Sequence, residues 1–434
     1  ADDPGGLNAR ELEEDRRQAA PRNLLYNAGE ALDQQSLGLA FRKKFGANRE
    51  LMLRNYYVQR DFTNRLPFDV NSNGQGGSVD LDRKVAGLGG NFTWTSELGS
   101  HSNQLVIGFD YDAQRDHRQR FANNQGVLGD LTTNQDEDVT TTGLYLQDVL
   151  SLSDSATLTL GGRFDEVKYK VTDRTGVSGT GQRTFREFSP MAGINWTVRD
   201  AVNLYANISS SFDPPATTEL ANPDGPTGFN QDLESQTATN YELGMKGLIT
   251  GSLRYEVALF HIDVKDEIVP FELEGSGQSF FENAGSSTRD GLEASLSMEL
   301  ARGLIGTATY TWSDFVFDEF RGVDGQNYDG NRIPGIPEQL FNIDLSWSHD
   351  SGFFTTWDAL YVGSFFADNA NEVKTEDYLV SNLRTGFRWG SEKWLFEPFI
   401  GVNNLFDKKY MANIRLNASF GRYYEPAPER NIYG

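Results

Sequence analysis

Two kinds of connection alternate along this chain without exception. Short ones sit at 46–48, 97–102, 153–155, 199–201, 250–252, 301–303, 350–352 and 390–392. Between them lie long polar ones, rich in Gly, Asn and Asp, at 61–80, 115–136, 173–182, 213–235, 265–282, 317–337, 366–377 and 407–426. The segments they join read as strands. In "FNIDLSWSHD", Phe341, Ile343, Leu345 and Trp347 interleave with Asn342, Asp344, Ser346 and Ser348. A period of two gives a strand with one apolar and one polar face. "QLVIGFDYD" (Gln104–Asp112), "ATLTLGGRFD" (Ala156–Asp165) and "SLRYEVALF" (Ser252–Phe260) are of the same kind. One short helix is expected, around Ala9–Gln18, and otherwise the chain is all-β.

A soluble sandwich would mix its connection lengths and turn its apolar rows inward. Propeller blades hold four strands each, whereas each repeat of about 50 residues here holds two long strands and one long loop. Tight turns at one end and long loops at the other are the plan of a transmembrane antiparallel barrel, apolar outside and polar in the lumen. The polar rows agree. Asn382, Arg384 and Arg388 alternate with Leu383, Phe387 and Trp389; Glu293 and Glu299 alternate with Leu292, Leu296 and Met298. An arginine pointed at lipid near the midplane costs about 2–4 kcal/mol, so these rows face the lumen. Phe341, Ile343, Leu345 and Trp347 then face lipid. Trp94, Trp312, Trp347, Trp389 and Trp394 suit interfacial girdles. No run reaches the 18 or more apolar residues of a membrane helix, and alternating strands average to the polar mean hydropathy of −0.52.

Composition narrows the function. A formal charge of −23 with no basic stripe speaks against a nucleic-acid partner. The absence of cysteine excludes disulfides and thiolate metal sites. His101, His117, His261 and His349 are far apart and without ligand spacing. No G-x-S-x-G, Walker or G-x-G-x-x-G pattern points to catalysis, so no catalytic residue is assigned and the chain is read as no enzyme. The glycines of "GVSGTGQ" (Gly176–Gln182) read as loop spacers, and the acidic run at Asp324–Asp329 lacks the EF-hand pattern for calcium. No metal site is assigned.

Specific stretches carry a resemblance. "VNNLFDKKY" (Val402–Tyr410), close to the C-terminal end, resembles a signature of TonB-dependent outer-membrane receptors of the siderophore type. "RDFTNRLPF" (Arg60–Phe68), "SSSFDPPATTEL" (Ser209–Leu220), "NYELGMKG" (Asn240–Gly247), "FENAGSSTRDGLE" (Phe281–Glu293) and "NRIPGIPEQLFNIDL" (Asn331–Leu345) follow the family's order. Most of these positions read as structural. Gly285 and Gly291 serve a close approach, Pro214, Pro215, Pro334 and Pro337 stand outside the ladder, and Asn403, Asn404 and Asp407 are rim hydrogen-bonders.

The resemblance implies a barrel of 22 strands closed around a plug. About 17 strands are counted here, so residues 1–434 are expected to be barrel, with the plug, the TonB-contacting box and about five strands upstream of Ala1 and the last strand truncated. It implies a bacterial outer-membrane receptor for energy-coupled uptake of a ferric siderophore. The alternatives are cobalamin, haem or another redox cofactor carried the same way, or a passive porin-like channel; an outer-membrane enzyme or adhesin on a barrel is the remaining class. Iron enters only within the cargo, and no resident cofactor is implied. The implied surroundings are outer-membrane lipid and lipopolysaccharide, the implied coupling partner is the TonB complex, and a monomer is expected. Anionic or aromatic ferric complexes suit Arg and Tyr in outer loops: Arg60, Arg118, Arg120, Tyr328, Arg332, Arg415 and Tyr423, with Phe229 and Asn230 of "GFNQDL" beside them.

Overall fold

The computed structural model describes residues 1–434 except 73, 177–179, 200, 225–227, 250, 273–278, 323–324 and 392. Ten long strands open the sheet: β1 (Gly29–Lys44), β2 (Arg49–Val70), β3 (Gly76–Leu98), β4 (His101–Asn124), β5 (Val127–Ser153), β6 (Ala156–Asp173), β7 (Gly181–Arg199), β8 (Val202–Asp213), β9 (Gln236–Ile249) and β10 (Leu253–Lys265). Each pairs antiparallel with the next. The meander continues through Ser286–Ala301, Leu304–Glu319, Gln339–Ser348, Phe353–Val362, Tyr378–Phe387, Phe399–Asn403 and Asn431–Tyr433. The result is one 17-stranded sheet. Its two ends are β1 and Asn431–Tyr433, each with one neighbour among the described residues.

The short turns all fall at one end of the sheet, and glycine makes several of them possible. Gly46, Gly99, Gly251, Gly303 and Gly352 have φ between 69° and 95°, where a Cβ would be strained. The helix near Ala9 is present as Ala9–Glu14, closed by a reciprocal Asn8/Glu11 capping box, and a second short helix, Pro21–Leu25, follows it.

Register fixes the faces. Across neighbouring strands Tyr310, Phe341, Tyr361 and Leu379 align, and so do Ala308, Ile343 and Ala359. The outward row of β4, β5 and β6 carries Ile107, Phe109, Leu144, Leu146, Leu160 and Phe164, all exposed. In water these would be a large liability; as a continuous belt they are the lipid face. The inward row is hydrogen-bonded: Arg54 to Asp110 at 2.7 Å, Arg163 to Asp110 at 2.9 Å, Tyr56 to Asp112 at 2.6 Å and Asn382 to Asp358 at 2.7 Å. Trp94, Trp389 and Trp394 lie exposed by the short turns, as a girdle requires. Trp312 stands half-way along its strand, away from either end.

The long-connection end departs from expectation in three places. Segments 61–80 and 115–136 are mostly strand: β2 and β3 are joined by 71–75, β4 and β5 by Gln125 and Gly126 alone. The third link shrinks to 174–180, and its glycine-rich centre, 177–179, lies outside the described residues. These strands rise beyond the belt, where both faces are polar enough to hide the alternation. Buried hydrophobic clusters form here. Val167, Tyr169, Val171, Phe185, Leu220, Phe229 and Leu233 form one cluster, and Val269, Ala284, Phe317 and Phe320 another. Burying each of these large side chains stabilises by about 1.5–3 kcal/mol, enough to hold long loops onto the strand tops.

Candidate ligand site at the extracellular end

The wall of the site is made by a change of phase. Along β6, Leu158, Leu160, Gly162 and Phe164 point outward while Thr157, Thr159, Arg163 and Asp165 point inward. One step further the pattern inverts. Glu166, Lys168 and Lys170 share the outward row, and Val167, Tyr169 and Val171 are buried on the inward one. β3 inverts in the same way, with Lys84 and Asp82 outward and Leu81 and Val79 buried inward. The inversion marks where the strands leave lipid. Above it the outer surface meets water and carries ion pairs, Lys84–Asp82 at 3.1 Å, Arg115–Asp138 at 2.8 Å and Arg186–Glu166 at 2.6 Å, each worth little because exposed.

Inside that raised wall lies a cavity of about 330 Å³. β2 to β6 form its sides, and the connection after β8 folds over it, bringing Leu220 and Phe229. Arg118 and Arg120 point in from β4. The Arg118 guanidinium donates to Glu137 at 2.7 Å, and the Gln135 amide donates to the same carboxylate at 2.7 Å. Arg120 donates to the Gln75 side chain. One step below, Arg83 holds the fully buried Asp116 through two nitrogens, at 2.6 and 2.9 Å. Phe62, Tyr169, Phe229 and Phe281 supply apolar and aromatic surface, and the Tyr169 hydroxyl donates to the Pro215 carbonyl at 2.6 Å, which pins the covering loop. The charges of the inward row in this lining are Arg118 and Arg120 against Glu137, an excess of one positive charge. Guanidiniums with several fixed N–H groups beside aromatic faces can take an anionic or polar aromatic group.

Of the nine residues singled out from sequence, Arg118, Arg120 and Phe229 meet in this cavity. Asn230 is adjacent, its amide donating to the Phe281 carbonyl at 3.2 Å. Arg60, Arg118 and Arg120 are strand residues rather than loop residues, because β2 and β4 extend so far above the belt. Arg60 lies on the inward row and donates to Gln34 at 2.8 Å, outside the cavity lining. The others are elsewhere at the same end. Tyr328 packs on Phe320 with ring centroids 5.3 Å apart, and Arg332 is held between Asp314 and Glu338 at 3.1 and 3.2 Å. Arg415 and Tyr423 belong to the last long connection; burial and the nearby Asp368 carboxylate push the Tyr423 hydroxyl above its ordinary pKa. Sequence reasoning missed Phe62, Tyr169, Gln135, Glu137 and Phe281. The inverted alternation in "FDEVKYKV" was the available signal for Tyr169.

The family motifs serve the frame. Asn404, at φ 52°, accepts from the Lys408 N–H at 2.8 Å and donates to the Lys408 carbonyl at 2.9 Å, while Asp407 accepts from the Arg430 N–H at 2.9 Å. A Cβ on Gly291 would lie 2.1 Å from the Phe260 ring, and one on Gly285 2.8 Å from the Glu319 carbonyl oxygen. Among the described residues no group of three His, Asp or Glu side chains could hold a metal ion. Asp324 of the acidic run lies outside the described residues, and Asp329 accepts from the Phe320 N–H at 2.8 Å.

The family described as TonB dependent receptor-like, beta-barrel matches residues 2–405. The ferrioxamine receptor of Yersinia enterocolitica is 27% identical over 278 residues, 62% of this chain and 36% of that protein. The metal-pseudopaline receptor of Pseudomonas aeruginosa is 25% identical over 375 residues, 77% of this chain and 48% of that protein. The ferric-pyoverdine 358 receptor of Pseudomonas putida is 23% identical over 416 residues, 86% of this chain and 46% of that protein. The chain thus spans about a third to a half of the length of these relatives. Among solved structures, the unliganded ferric citrate transporter FecA superposes with a TM-score of 0.80 at 18% identity, covering 99% of this chain and 64% of that one. At that identity the likeness speaks for the fold.

Proposed function

The chain belongs to the TonB-dependent receptor-like β-barrel family, and on that premise we propose that it is the barrel of a receptor that takes a ferric siderophore into the cell. The family is one of outer-membrane receptors and transporters, and this chain is an outer-membrane barrel. The cargo is bound at the extracellular end, in the cavity where Arg118, Arg120 and Phe229 converge, and iron travels only as part of it. Glu137 holds Arg118 in place, and the aromatic lining of Phe62, Tyr169 and Phe281 receives the ring or arm of the chelator. The observation that carries this reading is the phase inversion. A cavity lined by Arg118, Arg120 and aromatic rings on the inward side of strands that have risen above the lipid belt supports a role in meeting a scarce solute first. At about 330 Å³ the cavity is at the small end of ligand pockets, so it takes one arm of a ferric complex and leaves the metal core to the mouth of the barrel.

Energy coupling is proposed for the whole receptor, through a plug and TonB contact that the resemblance assigns to a segment outside these 434 residues. The receptor is read as a monomer set in outer-membrane lipid and lipopolysaccharide, performing transport without covalent chemistry. One relative is a metal-pseudopaline receptor, a name that specifies no single metal, so a metal chelate other than a ferric siderophore is the second reading. Uptake of iron-55 in cells that depend on this receptor tests the proposal. Uptake that requires TonB and falls when Arg118 and Arg120 are both replaced by Gln is expected. Uptake indifferent to TonB would contradict it and return the reading to a passive channel.

A further inference from the structure

A second concavity, of about 370 Å³, lies between two segments at opposite ends of the sheet. One segment is the stretch before β1; the other is the connection between Phe399–Asn403 and Asn431–Tyr433. They dock through a reciprocal backbone pair, with Leu7 N–H donating to the Tyr424 carbonyl at 2.8 Å and Tyr424 N–H returning to Leu7 at 3.1 Å. Arg16 reinforces this by donating to the Tyr410 carbonyl at 2.9 Å. Three arginines, Arg22, Arg415 and Arg422, are among the residues that line the hollow.

Their carboxylate partners are too few. Arg422 has a firm one, Glu11 at 2.9 Å. Arg415 stands 3.8 Å from Glu425, which also accepts from Asn413 at 2.8 Å. Arg22 makes no ion pair among the described residues. Two carboxylates against three arginines leave an excess of one positive charge beside the hollow, which favours an anion there. Gly6 keeps the floor open: a Cβ there would lie 2.3 Å from the Arg422 carbonyl oxygen and 2.9 Å from Arg415 Cδ.

We propose that this hollow is an anion-binding site, separate from the cavity of Arg118 and Arg120, that takes a multiply charged phosphate or carboxylate. Its volume is on the order of ten waters' share of liquid, right for a small polyanion or for one phosphorylated sugar unit. Occupancy neutralises Arg22 and Arg415 together and ties the stretch before β1 to the last long connection, so binding and the docking of these two segments are coupled. The site does not depend on the siderophore reading, since none of its residues lines the other cavity.

The test uses the full-length receptor in detergent freed of lipopolysaccharide, titrated calorimetrically with inorganic pyrophosphate, with tricarballylate and with purified lipopolysaccharide. Arg22→Gln and Arg415→Gln should each weaken binding about tenfold or more, since each removes charge-assisted hydrogen bonds. Arg10→Gln, on the exposed face of the first helix, should change nothing. Binding by the soluble anions identifies a solute site; binding by lipopolysaccharide alone, with the same arginine dependence, identifies a lipid-linked phosphate as the source. Either supports the site. Hydrogen exchange over residues 5–25 should slow on binding, a readout that stands even if a variant folds poorly. Flat titrations with all three probes, or binding unchanged in both arginine variants, would overturn the proposal.

Discussion

Ile343 and Asn342 are neighbours in the chain, at one height in the sheet and on opposite faces. Ile343 sits on the outward row between Ala308 and Ala359; Asn342 sits on the inward row between Thr309 and Leu360. Ile343 is six residues from the turn that begins at His349, about 20 Å along a strand at roughly 3.4 Å per residue. With a tilt near 45° that is about 14 Å of height, close to the middle of an apolar band about 25 Å tall. Ile343→Arg should therefore cost about 2–4 kcal/mol, lowering the folded-to-unfolded ratio roughly 30-fold to 700-fold. Asn342→Arg enters a wet lumen already lined with Asp344 and Asp358, and should stay within about 0.5 kcal/mol of the parent. Urea unfolding in phospholipid vesicles, followed by intrinsic fluorescence and by mobility of unheated samples in gels, measures both. Equal costs, or a larger cost for Asn342→Arg, would refute the assignment of faces.

Three further outcomes follow from the extracellular end. Arg83→Met leaves the Asp116 carboxylate buried without its partner and should destabilise by about 3–5 kcal/mol, whereas Arg83→Met with Asp116→Leu should recover most of that in the same unfolding assay. Gly77→Ala would put a Cβ 1.9 Å from the Phe68 carbonyl oxygen, so backbone must move and the urea midpoint should drop by the equivalent of roughly 1–3 kcal/mol. Phe229→Ala empties the centre of the cluster that holds the loop after β8; the cost, about 3–5 kcal/mol, should appear as faster hydrogen exchange over residues 214–224 with the belt strands unchanged.

How much of this could be read from the residues alone depends on where a strand meets lipid. Within the belt the solvent changes sharply across the strand, and "FNIDLSWSHD" or "ATLTLGGRFD" declares both its faces; the turns, the faces and a total near seventeen strands were legible for that reason. Above the belt both sides of a strand are wet until a loop covers one, so 61–80 and 115–136 look like loops although they are strand. The signal was there in "FDEVKYKV", where the apolar positions slip by one residue at Asp165 and Glu166, but it has meaning only once the lipid boundary is known. Arg118 and Phe229 come together across more than a hundred residues because Leu220, Phe229 and Leu233 pack onto Val167, Tyr169 and Val171. That docking depends on shape and not on any local pattern, and neither the cavity nor the meeting of Arg22 with Arg415 could have been read from spacing.

The most direct test of the central claim is a titration of the full-length receptor with a panel of ferric siderophores, followed by quenching of intrinsic tryptophan fluorescence, in the parent and in Arg118→Gln and Arg120→Gln. Sub-micromolar quenching by an anionic member of the panel, weakened about tenfold in each variant, is the predicted result. Tight binding that ignores both Arg118 and Arg120, or a panel with no response at all, would contradict the assignment of this cavity as the place where the cargo is first held.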